Sequence, residues 1–209
     1  MPAEPAAHCT LCPRLAEFRR ANAEAFPDYA NLPVPSFGEP GARLLIVGLA
    51  PGLKGANRTG RPFTGDFAGD LLYQTLLNFG FASGTYRADP DDGLRLVDCM
   101  ITNAVRCVPP QNKPTGKEAA TCRQFLKARI AAQTKLGVII ALGRIAHDNV
   151  LAALGARKVE HKFAHGATHD MGNGRTLIDS YHCSRYNTNT GVLTPAMFAG
   201  VFAKARGLV

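Results

Sequence analysis

Four of the six cysteines in this sequence have the spacing of metal ligands. Cys9 and Cys12 form a Cys-x2-Cys pair, which lets two thiolates bind one centre, and Cys107 and Cys122 come after a long gap. Four thiolates suit either a tetrahedral zinc ion or a 4Fe–4S cluster, and the spacing leaves both open. By analogy with a disulfide closing a loop of about 95 residues, such a centre would stabilise the fold by about 4 kcal/mol. We therefore predict a structural role, the alternative being that Cys107 and Cys122 are ordinary buried thiols.

A long glycine-rich loop over residues 48–66 is the second stretch whose residue types point to chemistry. A loop of this kind between a strand and a helix suggests phosphate binding, but neither the GxxxxGK[ST] pattern nor the GxGxxG pattern is present. The loop instead carries basic side chains, an aromatic residue near its end, Phe63, and a carboxylate at the next helix start, Asp66.

Strands and helices that alternate along the chain must position these side chains. Four short runs are rich in valine, isoleucine and leucine, and the nearly continuous apolar character of two of them indicates strands buried on both faces of a parallel sheet. The predicted strands are residues 43–49, 96–105, 137–142 and 175–181. The predicted helices are residues 14–25, 65–79, 117–135 and 144–154, with a further helix starting at Thr194-Pro195. Asn-Gly at 173–174 predicts a hairpin turn and an extra antiparallel strand.

The alternation predicts an α/β fold in one domain spanning residues 1–209. We expect a three-layer αβα sandwich with a central, mainly parallel four-stranded sheet. Ligands bind such sheets beyond the carboxyl ends of the strands. The unusual sequences come directly after Leu49, Thr102 and Tyr181, so we expect the site at these strand ends.

Composition and charge exclude several classes of protein. Hydrophobic residues make up 46% of the chain and charged residues 19%, which excludes a disordered protein, and no apolar run approaches the roughly 18–20 residues of a membrane span. No secretory signal is visible, so we expect a cytoplasmic protein without lasting disulfides, and nothing suggests an obligate dimer rather than a monomer. The 24 basic residues against 16 acidic ones give a net charge of +8, which favours a polyanionic partner without proving one.

Four stretches together resemble the uracil-DNA glycosylase superfamily, and in particular its iron–sulfur branch, family 5. They are Gly-Leu-Ala-Pro-Gly at 48–52 with residues 57–66, the segment 102–114 that begins Thr-Asn-Ala-Val-Arg-Cys, residues 141–146, and residues 182–191. The cysteine pattern also fits. The resemblance implies a 4Fe–4S cluster held by Cys9, Cys12, Cys107 and Cys122, rather than zinc. It further implies excision of uracil or related deaminated bases from DNA.

Because Lys54 is the one lysine in the matched pocket motifs, we expect a monofunctional, hydrolytic enzyme that acts on single- and double-stranded DNA. The apolar first motif with the small Ala50 suggests a roomy pocket, so we expect hypoxanthine and other deaminated bases to be accepted too.

The resemblance also implies roles for single side chains around a flipped base. Phe63 would stack on the base, Asn103 would read its edge, and His182 would donate a hydrogen bond to O2 as the leaving base gains negative charge. The first motif of this chain, Leu49-Ala50-Pro51, has no polar residue, as in family 5. Asp66 is therefore the best available carboxylate to stabilise the cationic sugar or orient water, although an aspartate at a helix start is also a common cap. The predicted base-binding residues are Gly48, Ala50, Phe63, Asn103 and His182, and the predicted catalytic residues are Asp66 and His182.

A DNA-binding face is expected around this cavity. By resemblance, Ser184, Arg185 and Tyr186 form the loop that enters the DNA. The candidates for phosphate contacts are Arg58, Arg61, Lys54 and Lys113. For each of these cations the alternative is an ordinary solvated surface charge.

One position departs from the family pattern. The family usually reads His-Pro-Ser where this chain has His182, Cys183 and Ser184. Losing proline removes a restraint on φ and adds a backbone donor, and a thiol beside the pocket would make activity sensitive to oxidation. The departure favours an alternative function, a non-catalytic binder of uracil-containing or single-stranded DNA on the same fold.

Two further metal hypotheses have less support. A zinc-scaffolded hydrolase of small molecules would use the same four cysteines. The spacing of His161, His165 and His169 would suit one face of a metal-binding helix, but Gly166 interrupts any helix there.

Overall fold

The fold is built on a six-stranded sheet, as shown by a computed structural model that describes residues 3–209. The strands are β1 (Phe37–Gly38), β2 (Leu44–Gly48), β3 (Ala82–Ser83), β4 (Arg95–Leu96), β5 (Cys99–Asn103), β6 (Val138–Leu142), β7 (Thr168–Asp170) and β8 (Thr176–Ser180). The order across the sheet is β1-β5-β2-β6-β8-β7, and β3 and β4 form a separate small sheet. The four central strands run parallel, whereas β1 and β7 pair antiparallel at the two edges.

The helices cover both faces of the sheet, which confirms the predicted three-layer αβα sandwich. They are α1 (Pro13–Ala25), α2 (Ala56–Thr59), α3 (Phe67–Asn78), α4 (Gly116–Ala132), α5 (Arg144–Leu154), α6 (Arg185–Asn189) and α7 (Pro195–Arg206), with a 3₁₀ turn at Pro110–Asn112. Side chains alternate along β2, so that Leu44 and Ile46 pack against α3 and α7 while Leu45 and Val47 pack against α4 and α5.

The prediction of four parallel strands is confirmed for the centre of the sheet. The whole sheet has two more strands, one at each edge. The strand β7 forms the expected hairpin with β8, whose turn has Asn173 and Gly174 at φ 53° and 70°. The strand β1 has only two residues and lies in a segment rich in proline and glycine, so no apolar pattern predicts it. No helix within residues 3–209 has the length and apolar character to cross a membrane.

Local sequence signals fix where several helices begin. Thr115 accepts a hydrogen bond from the backbone of Glu118, and Glu118 accepts one in return from the backbone of Thr115, so the predicted capping box is present at α4. Thr194 caps α7 and Pro195 occupies its first turn, as expected. Because β2, β5 and β8 run in the same direction, the loops that follow them lie at one edge of the sheet.

Candidate active site

A cavity of about 560 Å³ lies at the carboxyl ends of β2, β5 and β8. Of the residues predicted for the site and for DNA contact, those that line the cavity are Ala50, Lys54, Phe63, Asp66, Asn103, His182, Ser184 and Arg185. Segments distant in sequence therefore converge on one concave surface, and its volume lies in the range of small-molecule sites.

The ring of Phe63 forms part of the wall. Its centroid lies 6.0 Å from that of the His182 ring, and the two planes differ by 29°. Gly48 does not line the cavity itself, but a Cβ at this position would overlap the Phe63 ring and Asn103 Oδ1. Gly48 is therefore needed so that these two groups can approach the end of β2.

Asn103 is the last residue of β5, and its carboxamide is buried. Its Oδ1 atom has no hydrogen-bond partner among residues 3–209. An unpaired buried oxygen costs about 1–3 kcal/mol, a cost that a ligand with a donor group would remove. Because a carboxamide offers both a donor and an acceptor, this side chain can read a complementary pair of groups on a ligand.

His182 comes after β8 and is half-buried. Burial lowers the pKa of its imidazole to about 4, so the ring is neutral at physiological pH. Asn187 Nδ2 donates to the His182 carbonyl oxygen at 2.8 Å, and the Asn187 backbone N–H donates to Ser184 Oγ at 3.3 Å. Asn187 thus orients the loop that carries His182, a role that no sequence pattern predicted.

The lowered pKa of His182 leads to the first prediction. In an NMR titration of the folded protein, the His182 ring signals should move with a midpoint near pH 4. Burial disfavours the charged form, so the midpoint lies below the ordinary value of about 6.5. Comparison with a His182→Asn variant assigns the signal, and a midpoint near 6.5 would contradict a buried neutral imidazole.

Asp66 lines the cavity and also caps α3. Its Oδ1 atom accepts a hydrogen bond from the Gly69 backbone at 3.2 Å. Its other oxygen lies beside Gly55, where a Cβ would overlap it. Burial raises the pKa of Asp66, and the backbone N–H groups of Gly69 and Ala68 partly oppose that rise. Capping and catalysis are thus compatible at this position.

The cations and the tyrosine predicted to contact DNA lie mostly at the exposed rim. Tyr186 on α6 is 74% exposed, and the Arg185 guanidinium lies 5.1 Å from the centroid of the Phe67 ring. Arg58, Lys54 and Lys113 are exposed, and Lys54 also lines the cavity. Asn112 lines the cavity as well, although no sequence pattern distinguishes it from its neighbours.

The predicted DNA contact of Arg61 is wrong. Its guanidinium is buried and makes a bidentate ion pair with Asp92, with N–O distances of 2.9 and 2.8 Å. Burial opposes the charge of Arg61, but this pair raises its pKa overall and lowers that of Asp92. Arg61 is turned into the protein and is not available to a phosphate.

The Cys183 thiol, expected beside the pocket, is buried and does not belong to the described lining of the cavity. Its side chain is fully buried in the core that α3 and α7 form with the sheet, and burial raises the pKa of the thiol. A protonated thiol sealed in the core is protected from oxidants in solution. The departure from the family pattern therefore does not introduce a reactive group into the cavity.

A second, small cavity is lined by all four predicted ligands, Cys9, Cys12, Cys107 and Cys122. The fold thus brings the Cys-x2-Cys pair next to the two cysteines that follow the long gap. The other walls of this cavity include the apolar side chains of Leu15, Val105 and Phe125. The Arg106 backbone N–H donates to Cys122 Sγ at 3.4 Å. Burial raises the pKa of the Cys107 thiol to about 12, so thiolates here need a bound positive centre. The donor set fits a thiolate-ligated metal group.

The histidine-rich segment belongs to a buried ion-pair network. His147 Nδ1 lies 2.7 Å from Asp179 Oδ1, and His169 Nε2 lies 3.0 Å from Asp179 Oδ2. The other His147 nitrogen lies 3.0 Å from the His161 carbonyl oxygen. Burial lowers the pKa of His147, but Asp179 raises it more. Since both nitrogens of His147 face acceptors, the ring can donate from both when it is protonated, and its contact with Asp179 ties α5 to β8.

A family profile and several similar proteins all point to one superfamily. The sequence profile described as the uracil DNA glycosylase superfamily matches residues 35–206. A type-5 uracil-DNA glycosylase from Thermus thermophilus is 46% identical over 205 residues, covering 96% of this chain and 93% of that protein. One from Mycobacterium bovis is 42% identical over 209 residues, covering 96% and 78%. A type-4 uracil-DNA glycosylase from Thermotoga maritima is 32% identical over 177 residues, covering 84% and 76%. This chain therefore belongs to the uracil DNA glycosylase superfamily.

Proposed function

We propose that the protein hydrolyses the N-glycosidic bond of uracil in DNA and releases the free base. The observation that carries this proposal is that Phe63, Asp66, Asn103 and His182 all line one cavity. An enzyme acting on a base in duplex DNA must flip the nucleotide into such a pocket. The relatives named above as uracil-DNA glycosylases support the same substrate.

Recognition of the base is assigned to Asn103 and Phe63. Uracil presents O4 as an acceptor and N3–H as a donor, and the buried, unpaired Oδ1 of Asn103 is suited to accept from N3–H. Cytosine presents the reversed pattern and would leave that oxygen without a donor. Stacking on Phe63 contributes about 1–3 kcal/mol, comparable to the few kcal/mol that flipping costs.

Cleavage of the bond is assigned to His182 and Asp66. As the C1′–N1 bond breaks, its electron pair moves onto the base and negative charge gathers at O2. The neutral His182 ring holds a proton that can be donated there as a hydrogen bond. Asp66 stabilises the cationic sugar and orients a water, whose oxygen then forms the new bond to C1′. The proton that this water loses passes to solvent, and the released uracil anion takes up a proton from solvent at N1.

The experiment for this activity uses oligonucleotides with one uracil, single-stranded and double-stranded. We expect alkali-labile abasic sites in both and no strand cleavage without alkali. Lys54 is an amine at the cavity wall and would be needed for a lyase step, so a Lys54→Met variant, which also loses one candidate phosphate contact, should still form abasic sites when the enzyme saturates the DNA. Prompt cleavage that disappears in this variant would contradict a monofunctional enzyme.

We also propose that hypoxanthine and other deaminated bases are accepted. Ala50 presents only a methyl group to the cavity wall, and the volume of about 560 Å³ leaves room for a purine. A matched oligonucleotide with hypoxanthine in place of uracil should give abasic sites, and an unchanged oligonucleotide would restrict the enzyme to uracil.

The four clustered cysteines are assigned to a structural 4Fe–4S cluster. Cys9, Cys12, Cys107 and Cys122 would hold it, and when bound it supplies a cross-link rather than redox chemistry in the reaction. Cys107 and Cys122 are buried and Cys9 and Cys12 are half-buried, and the Arg106 N–H would stabilise the charge on Cys122. The cross-link joins the segment before α1 to α4.

A cysteine substitution tests this assignment. Cys107→Ser should abolish broad absorbance near about 400 nm and lower the Tm by roughly 10 °C, because the cross-link no longer restricts the unfolded chain. Cys99→Ser is the control, since Cys99 is also a buried thiol and lies in β5 outside the cysteine cluster. Zinc, and no iron, in the purified wild-type protein would contradict the cluster.

A further inference from the structure

Phe63, whose ring lines the cavity, has an unusual backbone conformation. Its φ is +54°, in the left-handed region that glycine adopts readily and bulky side chains rarely adopt. Such a conformation persists only where surrounding contacts impose it. The direction of the ring therefore depends on the contacts that hold residues 61–64.

Two stacked tyrosines hold the backbone carbonyl groups on either side of this conformation. Tyr73 Oη donates to the Pro62 carbonyl oxygen at 2.6 Å, and Tyr86 Oη donates to the Phe63 carbonyl oxygen at 3.3 Å. The tyrosine rings stack with their centroids 4.6 Å apart. The peptide groups before and after Phe63 are thus fixed from outside the cavity.

The ion pair of Arg61 and Asp92 fixes these tyrosines and the chain around Phe63. The Arg61 guanidinium carbon lies 5.4 Å from the Tyr73 ring centroid and 5.9 Å from that of Tyr86, and Arg61 Nε donates to Thr64 Oγ1 at 2.7 Å. Asp92 accepts two further hydrogen bonds from backbone N–H groups. Both carboxylate oxygens of Asp92 therefore accept hydrogen bonds, and the bidentate pair holds the Arg61 guanidinium in one position.

We propose that Arg61, Tyr86 and Asp92 are positioning residues for base excision, because they hold Phe63 in its left-handed conformation and so aim the stacking ring. The described lining of the cavity includes none of the three, so they act through Phe63 and touch no base. The inference rests on the proposed function, since it gives these residues a role only where Phe63 stacks on a base.

The test is a double-mutant cycle read by the single-turnover rate of uracil release. Phe63→Ala should lower the rate by roughly 10- to 100-fold, the range expected for one lost stack. Asp92→Asn should lower it about 10-fold or more and Tyr86→Phe about threefold, with DNA affinity unchanged within about twofold. In the Phe63→Ala background each should cost less than about twofold, because the ring that they position is gone.

Asp98→Asn is the matched control. It removes another arginine–carboxylate pair, Arg43 Nε to Asp98 Oδ2 at 2.5 Å, at the start of β2 and β5. Its rate should stay within about twofold of wild type.

If Asp92→Asn does not fold, Tyr86→Phe removes one hydroxyl group and decides the question alone. Equal losses in both backgrounds, or no loss in either, would overturn the inference, whereas a wild type that releases no uracil would overturn the proposed function itself.

Discussion

Replacing Asp66 with asparagine is expected to lower the single-turnover rate of uracil release by up to about 10³-fold. Asp66 is the one carboxylate among the described residues that line the cavity. At about 4 Å from a cationic sugar, in a medium of effective dielectric constant about 20, its charge is worth about 4 kcal/mol. If all of this stabilisation appears in the transition state, it corresponds to about three powers of ten in rate.

Asparagine is the informative replacement because it separates catalysis from capping. Asparagine caps helices as well as aspartate does, so the Tm of Asp66→Asn should stay within about 2 °C of wild type. Asp70→Asn changes an exposed carboxylate in the first turn of the same helix and should leave the rate unchanged. Full activity in Asp66→Asn would leave Asp66 as a cap only.

His182→Ala is expected to lower the same rate by about 10²- to 10³-fold. This is the usual cost of removing one hydrogen-bond donor aimed at charge that develops in a transition state. His182 lines the cavity as a neutral ring, so the loss is that of a donor and not of a cation. The affinity for an uncleavable uracil-containing oligonucleotide should change by less than about threefold, because phosphate contacts supply most of the binding.

His182→Gln distinguishes a hydrogen-bond donor from a general acid. The glutamine amide can donate a hydrogen bond but cannot release a proton at neutral pH. We expect this variant to retain at least about tenfold more activity than His182→Ala. Equal activity of the two variants would contradict the role of His182 as a neutral donor.

The sequence patterns that predicted the sheet and helices were those with strong periodicity and short-range signals. The helix at Arg144–Leu154 has the predicted ends, and β2 differs from its prediction by one residue at each end. The predicted strand at 96–105 was too long because Asp98 has φ +51°, which separates Leu96 in β4 from β5. Side-chain polarity alone does not reveal such a left-handed residue in the middle of an apolar run.

The residues of the cavity wall could be predicted because their motifs lie at strand ends. The residues that hold the wall in place from behind could not be predicted. Arg61 looked like a surface cation because its partner, Asp92, is distant in the chain and carries no pattern of its own. Tyr86 holds the Phe63 carbonyl from a loop that the motifs do not reach. Long-range polar contacts of this kind depend on the folded geometry and leave no periodic trace in the sequence.

The central claim is that this cavity takes in one flipped base and breaks its bond to the sugar. The most direct measurement is mass spectrometry of the small molecules released from a uracil-containing duplex, counted against the abasic sites formed. We expect free uracil and abasic sites in equal amounts, and neither from an Asn103→Ala, His182→Ala double variant over the same time. A wild-type protein that retards the duplex on a gel and releases no uracil would contradict the claim and identify the protein as a binder.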